Sequence, residues 1–253
     1  MRIEDIDPPR EMAGAAPLIL QTLEAHGLEW DGEVMYQSQR HGRYDDVIAQ
    51  LYQAGDLYWC RCTRREIMAG GGFYNGHCRA LGLAAEGCAA RLRQRHPVYH
   101  FDDALQGHVS VPAGLADEDF IIRRRDGLYA YNLAVVVDDM DCGITEIVRG
   151  ADLLEPTVRQ IALYQTLGAD VPAWVHLPLA VLADGNKLSK QNHAPALAQD
   201  DVRPALWQAL TFLGQCPPPC LRENTVDEII AWGIAHWQLA RVPRQQKIVL
   251  GAR

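Results

Sequence analysis

The chain of 253 residues contains no run of 18 or more apolar residues, and it does not open with the charged and then apolar order of a signal peptide. From these absences we expect no transmembrane helix and no secretory leader. Basic residues are also scarce, with 24 lysines and arginines against 32 acidic residues and a net charge of −8. Because non-specific phosphate binding needs a basic surface, this balance excludes a general nucleic-acid coat protein. A local basic patch is still available from Arg91, Arg93, Arg95 and residues 123–125.

A disulfide framework is absent as well. The seven cysteines are odd in number and unevenly spaced, which is typical of a reducing compartment. The sequence therefore predicts a soluble, cytoplasmic protein. With 48% hydrophobic residues, the chain is long enough for one large domain or two smaller ones with cores of their own.

Segments with strand-like and helix-like patterns alternate and predict an α/β fold, with a parallel sheet covered by helices. Helices are predicted in AAPLILQTLEAHGLEW, RYDDVIAQLYQAGD and LEPTVRQIALYQTLG, and around residues 204–213 and 225–237. Strands are predicted at the N-terminus, at residues 57–60, and in FIIRRRDG, YAYNLAVVVDD, ITEIVRG and WVHLPLAVLADG. The second of these four has the continuous apolar run expected of a strand covered on both faces. The last dozen residues are basic and are expected to be poorly ordered.

The composition changes in the middle of the chain, where glycines and turns replace long helical patterns. This change predicts an insertion into the α/β core. Four segments result: residues 1–56 form the first part of the core, 57–117 the insertion, 118–183 the second part of the core, and 184–253 a lysine loop with C-terminal helices.

Cysteines within the insertion have the spacing of a metal site. Cys60 and Cys62 form a Cys-X-Cys pair, and Cys78 returns after a glycine-rich turn. Structural zinc prefers thiolates and takes four ligands in a tetrahedron, so a fourth partner is required. From chemistry alone His77 is the orthodox choice, while three thiols without a metal are the alternative interpretation.

The loop NKLSKQ carries two lysines, Lys187 and Lys190, after a glycine turn. Two flexible cations at this spacing suit the phosphates of a nucleotide, because they neutralise the charge that develops on departing pyrophosphate. A solvated surface loop explains the same residues equally well when they are read in isolation.

The motifs elsewhere in the chain are more specific than this loop alone. Together with RIEDID near the start and the stretch GITEIVRGADLL, KLSK resembles the class I glutamyl-tRNA synthetases over nearly the whole chain. Within that family, the insertion with GGFYNGHC and the K-L-S-K-Q loop are similar to the small paralogues that modify queuosine in tRNA(Asp). The resemblance implies a Rossmann-like class I fold with a zinc-containing insertion and a short helical C-terminal part.

The resemblance also implies an activity and its partners. L-Glutamate is activated with ATP and Mg²⁺ without tRNA, and the glutamyl group then goes to queuosine at the first anticodon position of tRNA(Asp). We expect a monomer that does not bind membranes. Two other functions stay open: a shortened synthetase that charges the 3′ end of tRNA, and an inactive, zinc-stabilised paralogue that binds RNA or protein.

Roles for single residues follow from the same resemblance. Glu4 pairs with the α-ammonium group of glutamate, Tyr131 offers its hydroxyl, and Arg149 holds the γ-carboxylate. The ATP phosphates are bound by Lys190 with support from Lys187. The zinc ligands implied are Cys60, Cys62, Tyr74 and Cys78, with tyrosine in the place that chemistry alone assigns to His77.

Three further polar residues are expected to have structural roles. Asp138 and Asp139 make an improbable metal pair; we expect one to cap a loop and the other to face solvent. His176 is expected to be a packed or capping histidine rather than a ligand.

One family signature is missing. No tetrapeptide resembling His-X-Gly-His occurs, and no strand–loop–helix unit of about 30 residues precedes Arg2. Either the start codon is assigned too late, or the class I sheet is truncated and half of the ATP site is absent. We expect the 253-residue chain by itself to have little or no activation activity.

Overall fold

The computed structural model describes residues 1–188, 197 and 200–250, which form an α/β structure. The helices are α1 Ala15–Ala25, α2 His41–Gln53, α3 Arg64–Ala69, α4 Ala113–Ala116, α5 Tyr131–Asp141, α6 Thr157–Thr166, α7 Arg203–Phe212 and α8 Val226–His236. The strands are β1 Arg2–Ile3, β2 Met35–Tyr36, β3 Leu57–Cys60, β4 Ala89–Leu92, β5 His100–Asp103, β6 Gly107–Ser110, β7 Ile121–Arg123, β8 Glu146–Gly150, β9 Ala173–Leu177, β10 Leu179–Val181 and β11 Lys247–Val249.

Parallel pairing is present, as predicted, but it is divided. Strands β1 and β2, β8 and β9, and β10 and β11 form three separate parallel pairs in the described part of the chain. The insertion is antiparallel, because β5 and β6 form a hairpin and β3, β4 and β7 form a three-stranded sheet. In the described residues, the predicted parallel sheet is therefore divided into short pairs.

The prediction of a strand in YAYNLAVVVDD is wrong, because these residues form helix α5. The side chains of Leu133, Ala134, Val135, Val136 and Val137 are all at most 2% exposed. A run that is buried on every side carries no amphipathic period, so helix and strand give the same apolar pattern. Tyr131 consequently lies at the first turn of a helix rather than on a strand.

The expectation for the two aspartates at the end of α5 is also wrong, since neither of them faces solvent. Asp138 is fully buried and accepts hydrogen bonds from Gln37 (2.7 Å), Arg40 (2.7 Å) and Tyr44 (2.9 Å). Asp139 is 7% exposed and pairs with Arg2. Both carboxylates tie α5 to the N-terminal segments of the chain.

The C-terminal part differs from prediction at two points. The segment predicted as one strand in WVHLPLAVLADG is divided into β9 and β10 at Pro178, whose nitrogen has no hydrogen to donate to a ladder. The last residues, predicted to be poorly ordered, contain β11, which pairs with β10. Helices α6, α7 and α8 are confirmed, and α8 begins at a capping box of Thr225 and Glu228.

The main core lies between α2, α5 and α6 and the three-stranded sheet. None of the helices in the described residues is both long and apolar enough to cross a membrane. Strand β7 pairs with β4, so the sheet of the insertion includes residues 121–123. The four-segment division of the chain stays a prediction.

Candidate active site

Arg149 is the centre of the candidate site. It lies on β8 directly opposite His176 on β9, and its Nε donates to His176 Nε2 over 3.1 Å. The other two nitrogens donate to Gln160 Oε1 and to Thr157 Oγ1, each over 2.7 Å. All three partners are neutral acceptors, and none of the ion pairs in the described residues includes Arg149. The guanidinium is therefore oriented by neutral groups, while its charge has no carboxylate partner.

The surroundings of Arg149 are apolar on one side. Its guanidinium carbon lies 4.9 Å from the ring centre of Trp174, and burial lowers the pKa of Arg149. A cation that is partly withdrawn from water without a counter-ion is a favourable place for an anionic ligand. Because guanidinium matches a carboxylate in two parallel hydrogen bonds, a carboxylate is the anion that the site fits best.

The other two predicted glutamate-binding residues lie near Arg149. Burial raises the pKa of the Tyr131 hydroxyl, the Glu4 carboxylate adds to the rise, and the Arg149 guanidinium opposes it. Arg2 donates to Glu4 over 3.1 Å and also pairs with Asp139, so one arginine orients both carboxylates. The structure thus brings Tyr131 within electrostatic range of both Glu4 and Arg149.

Two aromatic side chains beside this site hold buried polar atoms without a hydrogen-bond partner. They are the hydroxyl of Tyr164 and the ring nitrogen of Trp174. Burial raises the pKa of Tyr164, so its hydroxyl keeps its proton. Both side chains are almost fully enclosed, so these atoms are exceptions to the rule that buried polar groups are hydrogen-bonded.

His176 is fully buried, which confirms the expected packed histidine. Its Nδ1 lies 2.6 Å from Oδ2 of Asp103, at the tip of the β5–β6 hairpin. The contact with Arg149 was not predicted.

The lysine loop begins close to the same strand. Lys187, which follows β10, donates from Nζ to Oδ2 of Asp152 over 2.7 Å. Asp152 lies three residues after Arg149 in the sequence. Gly150 permits this approach, because a Cβ atom there would meet Asp152 Oδ1 at 2.7 Å and Leu179 Cδ2 at 2.9 Å. Lys190 lies outside the described residues.

The three predicted metal-binding cysteines converge. The Sγ atoms of Cys60, Cys62 and Cys78 all lie within 4.8 Å of one another, and those of Cys62 and Cys78 are 3.5 Å apart. Tyr74 is buried beside them, and its hydroxyl accepts a hydrogen bond from the Cys78 backbone over 2.7 Å. His77 is exposed and does not belong to the cluster. Burial and the neighbouring sulfur atoms raise the pKa of Cys62 to about 12. Three converging sulfur atoms are a donor set that zinc would fit.

Comparison with known proteins places this chain in a family. Residues 1–228 match the sequence model of the tRNA synthetases class I (E and Q), catalytic domain. The chain belongs to this class I synthetase family. The glutamyl-Q tRNA(Asp) synthetase of Serratia proteamaculans (strain 568) is 60% identical over 250 residues, which cover 99% of this chain and 82% of that protein. The glutamyl-Q tRNA(Asp) synthetase of Pectobacterium atrosepticum is 58% identical over 248 residues, or 98% of this chain and 77% of that protein. These matches confirm the resemblance read from the sequence.

Solved structures agree with this class I synthetase fold. A glutamate tRNA ligase from Elizabethkingia meningosepticum, crystallised with its amino acid, superimposes with a TM-score of 0.75 at 23% identity. The glutamate-tRNA synthetase of Elizabethkingia anophelis gives a TM-score of 0.76 at 22% identity. The match covers 96% and 98% of this chain but only 58% and 61% of those chains. The class I α/β fold is thereby confirmed, while the zinc in the insertion stays a prediction.

Several residues of the candidate site were not predicted from the sequence. Arg2, Asp139 and Tyr164 adjoin the predicted residues, and Thr157 and Gln160 hold Arg149. One signal was available in the sequence, because Thr157 and Gln160 are three apart on a predicted helix and therefore share a face. The contact of these two residues with Arg149 on β8 could not be read from the sequence.

Proposed function

We propose that this synthetase activates L-glutamate with ATP, without a need for tRNA, and transfers the glutamyl group to queuosine at the first anticodon position of tRNA(Asp). The observation that carries the proposal is Arg149, a partly buried guanidinium held by three neutral acceptors and without a carboxylate partner. A glutamate γ-carboxylate supplies the missing charge. The names of the relatives supply the substrate nucleoside and the tRNA.

Recognition of glutamate divides between two groups of residues. Arg149 takes the γ-carboxylate, while Glu4, already oriented by Arg2, takes the α-ammonium group. Tyr131 lies near both, and its hydroxyl, which is protonated at neutral pH and whose pKa burial raises further, donates to the bound amino acid. This arrangement leaves the α-carboxylate of glutamate as the group that reacts.

Activation joins that α-carboxylate to the α-phosphorus of ATP and expels pyrophosphate, which leaves a glutamyl adenylate. Lys187 and Lys190 neutralise charge on the phosphates, and Mg²⁺ arrives with ATP, held mainly by phosphate oxygens. A queuosine hydroxyl then attacks the glutamyl carbonyl, loses its proton and displaces AMP. The protein works as a cytoplasmic monomer.

Zinc has a structural part in this proposal. Cys60, Cys62, Tyr74 and Cys78 hold it at the base of the insertion, far from the reacting groups in sequence. The convergence of three sulfur atoms and the buried Tyr74 support this set over one that includes His77. A site closed by four protein ligands stabilises the fold and leaves no position for substrate.

The zinc assignment predicts different outcomes for two neighbouring substitutions. Tyr74→Phe is expected to lower the zinc content well below one ion per chain after dialysis against a chelator, because it removes one of four ligands. His77→Ala is expected to keep the zinc, and Cys62→Ser serves as the positive control for loss. Metal analysis by mass spectrometry measures all three, and loss of zinc in His77→Ala alone would reverse the assignment.

The proposed reaction predicts a change in one tRNA. In a strain without the natural gene, tRNA(Asp) is expected to carry queuosine without its glutamyl group, while other queuosine tRNAs stay unchanged. Mass spectrometry of anticodon-loop fragments measures this, and a strain with the gene restored is the control. Fully glutamylated tRNA(Asp) in the deletion strain would overturn the proposal in favour of a charging enzyme or a binding protein.

A further inference from the structure

The hydrogen bonds around His176 allow only one arrangement of protons. Arginine is a donor at all its nitrogens and accepts no hydrogen bond. Its Nε lies 3.1 Å from Nε2 of His176, so that imidazole nitrogen must be the acceptor and carries no proton. The proton of the neutral ring is then on Nδ1, which donates to Asp103 Oδ2 over 2.6 Å. Asp103 thus determines the tautomer of His176, and with it the unprotonated Nε2 that accepts from Arg149.

Asp103 is itself held firmly. Its Oδ1 accepts backbone N–H groups from Leu105 (3.0 Å), Gln106 (2.8 Å) and His176 (3.3 Å). These bonds and the His176 contact keep the pKa of Asp103 low in spite of burial. The carboxylate is fully enclosed, with a side-chain exposure of 0%.

The hairpin that carries Asp103 is fastened to the strand that carries His176. The backbone N–H of Ala104 donates to the carbonyl of Trp174 over 2.9 Å, and the Gln106 side chain donates to the carbonyl of His176 over 2.8 Å. Residues of the predicted insertion therefore contact β9, the strand that carries His176, the partner of Arg149. The contact links positions 73 residues apart in sequence.

We propose that Asp103 is a positioning residue for amino-acid recognition: through the Nδ1 proton of His176 it holds a hydrogen-bond acceptor against Arg149 and so aims the guanidinium at the substrate carboxylate. The proposal rests on the function given above, because it assigns Arg149 to glutamate. Thr157 and Gln160 orient the two terminal nitrogens, and the Asp103–His176 pair orients Nε. Together they fix the plane in which a carboxylate can form two parallel hydrogen bonds.

The substitution Asp103→Asn tests this directly, because it changes one atom. The amide oxygen stays with the three backbone N–H groups, so the amide nitrogen faces Nδ1 of His176. Nδ1 must then accept, and the imidazole proton moves to Nε2, where it meets the Nε–H of Arg149. Nε2–H of His176 and Nε–H of Arg149 are then both donors, so the hydrogen bond that orients the guanidinium is lost. A buried carboxylate-to-amide change has this effect on the tautomer of a catalytic histidine in serine proteases.

Two measurements are made on wild type, Asp103→Asn and the neighbouring control Asp102→Asn, whose side chain is 89% exposed. Long-range nitrogen–proton NMR of histidine-labelled protein reads the tautomer of His176, assigned by its loss in His176→Gln. We expect an Nδ1 proton in wild type and Asp102→Asn, and an Nε2 proton in Asp103→Asn. Pyrophosphate exchange is expected to show a KM for glutamate raised about tenfold or more in Asp103→Asn only, with an unchanged KM for ATP.

A second pair of variants covers the case in which Asp103→Asn fails to fold. In His176→Gln the amide oxygen can occupy the place of Nε2 and still accept from Arg149, whereas the shorter side chain of His176→Asn cannot reach. We expect the glutamate KM to rise more in His176→Asn than in His176→Gln. An Nε2 proton in wild type, or equal effects on glutamate and ATP, would overturn the proposal. All variants are made in the protein expressed from its natural gene, and a wild type of that form that activates no glutamate would instead overturn the proposed function and, with it, the role of Asp103 in glutamate recognition.

Discussion

Replacing Arg149 by glutamine is expected to lower kcat/KM for glutamate by about 100- to 1,000-fold. Truncating one partner of a hydrogen-bonded charge pair that is withdrawn from water costs on the order of 2–5 kcal/mol, and each 1.4 kcal/mol is about tenfold. Glutamine retains a donor but neither the charge nor the fork of the guanidinium. Glutamate-dependent pyrophosphate exchange, with the protein expressed from its natural gene, measures the loss.

The stability of the same variant separates a binding role from a structural one. Arg149 forms no ion pair among the described residues, and burial lowers its pKa although the Asp139 carboxylate partly opposes this. The change removes a charge that has no ion-pair partner, but it also takes a donor from the buried acceptors of His176, Gln160 and Thr157, so we expect only a modest fall in the melting temperature. Arg149→Lys is the matched control, which keeps the charge without the fork and should retain an intermediate activity. Strong destabilisation by Arg149→Gln together with normal activity would show that Arg149 is structural.

Asp138→Ala is expected to destabilise the protein by about 3–5 kcal/mol, the largest effect on stability that we predict. The carboxylate is fully buried and accepts from Gln37, Arg40 and Tyr44. Gln37 and Tyr44 are themselves fully buried, so their donors would be left without an acceptor or access to water. Each buried donor that loses its acceptor costs about 1–3 kcal/mol. Urea unfolding monitored by circular dichroism measures the change.

Asp141→Ala is the control for this prediction. Asp141 lies on the same helix and pairs with Arg40 and Arg43, but its side chain is 28% exposed. Ion pairs that remain in contact with water contribute about 0–1 kcal/mol, so this variant should be only slightly less stable than wild type. Equal losses in the two variants would mean that burial is not the source of the Asp138 effect.

Local spacing was a reliable guide where the chemistry itself is local. The Cys-X-Cys pair and its return at Cys78 predicted three converging thiols, and the sulfur atoms do converge. Helix α6 was found from Pro156 at its first turn and Gly168 beyond its end, although seven of its ten residues are buried. The resemblance added Glu4, Tyr131 and Arg149, which the structure places near one another.

The sequence by itself determined the family, the α/β alternation and the residue types of the candidate site, because these depend on short motifs and on patterns with a period. Tertiary structure alone decided that residues 131–141 are a helix, since a segment buried on all faces has no period to read. It also decided the partners of Arg149 and Asp138. Those hydrogen bonds join positions from 8 to 101 residues apart, and their formation depends on how strands and helices pack rather than on any spacing along the chain.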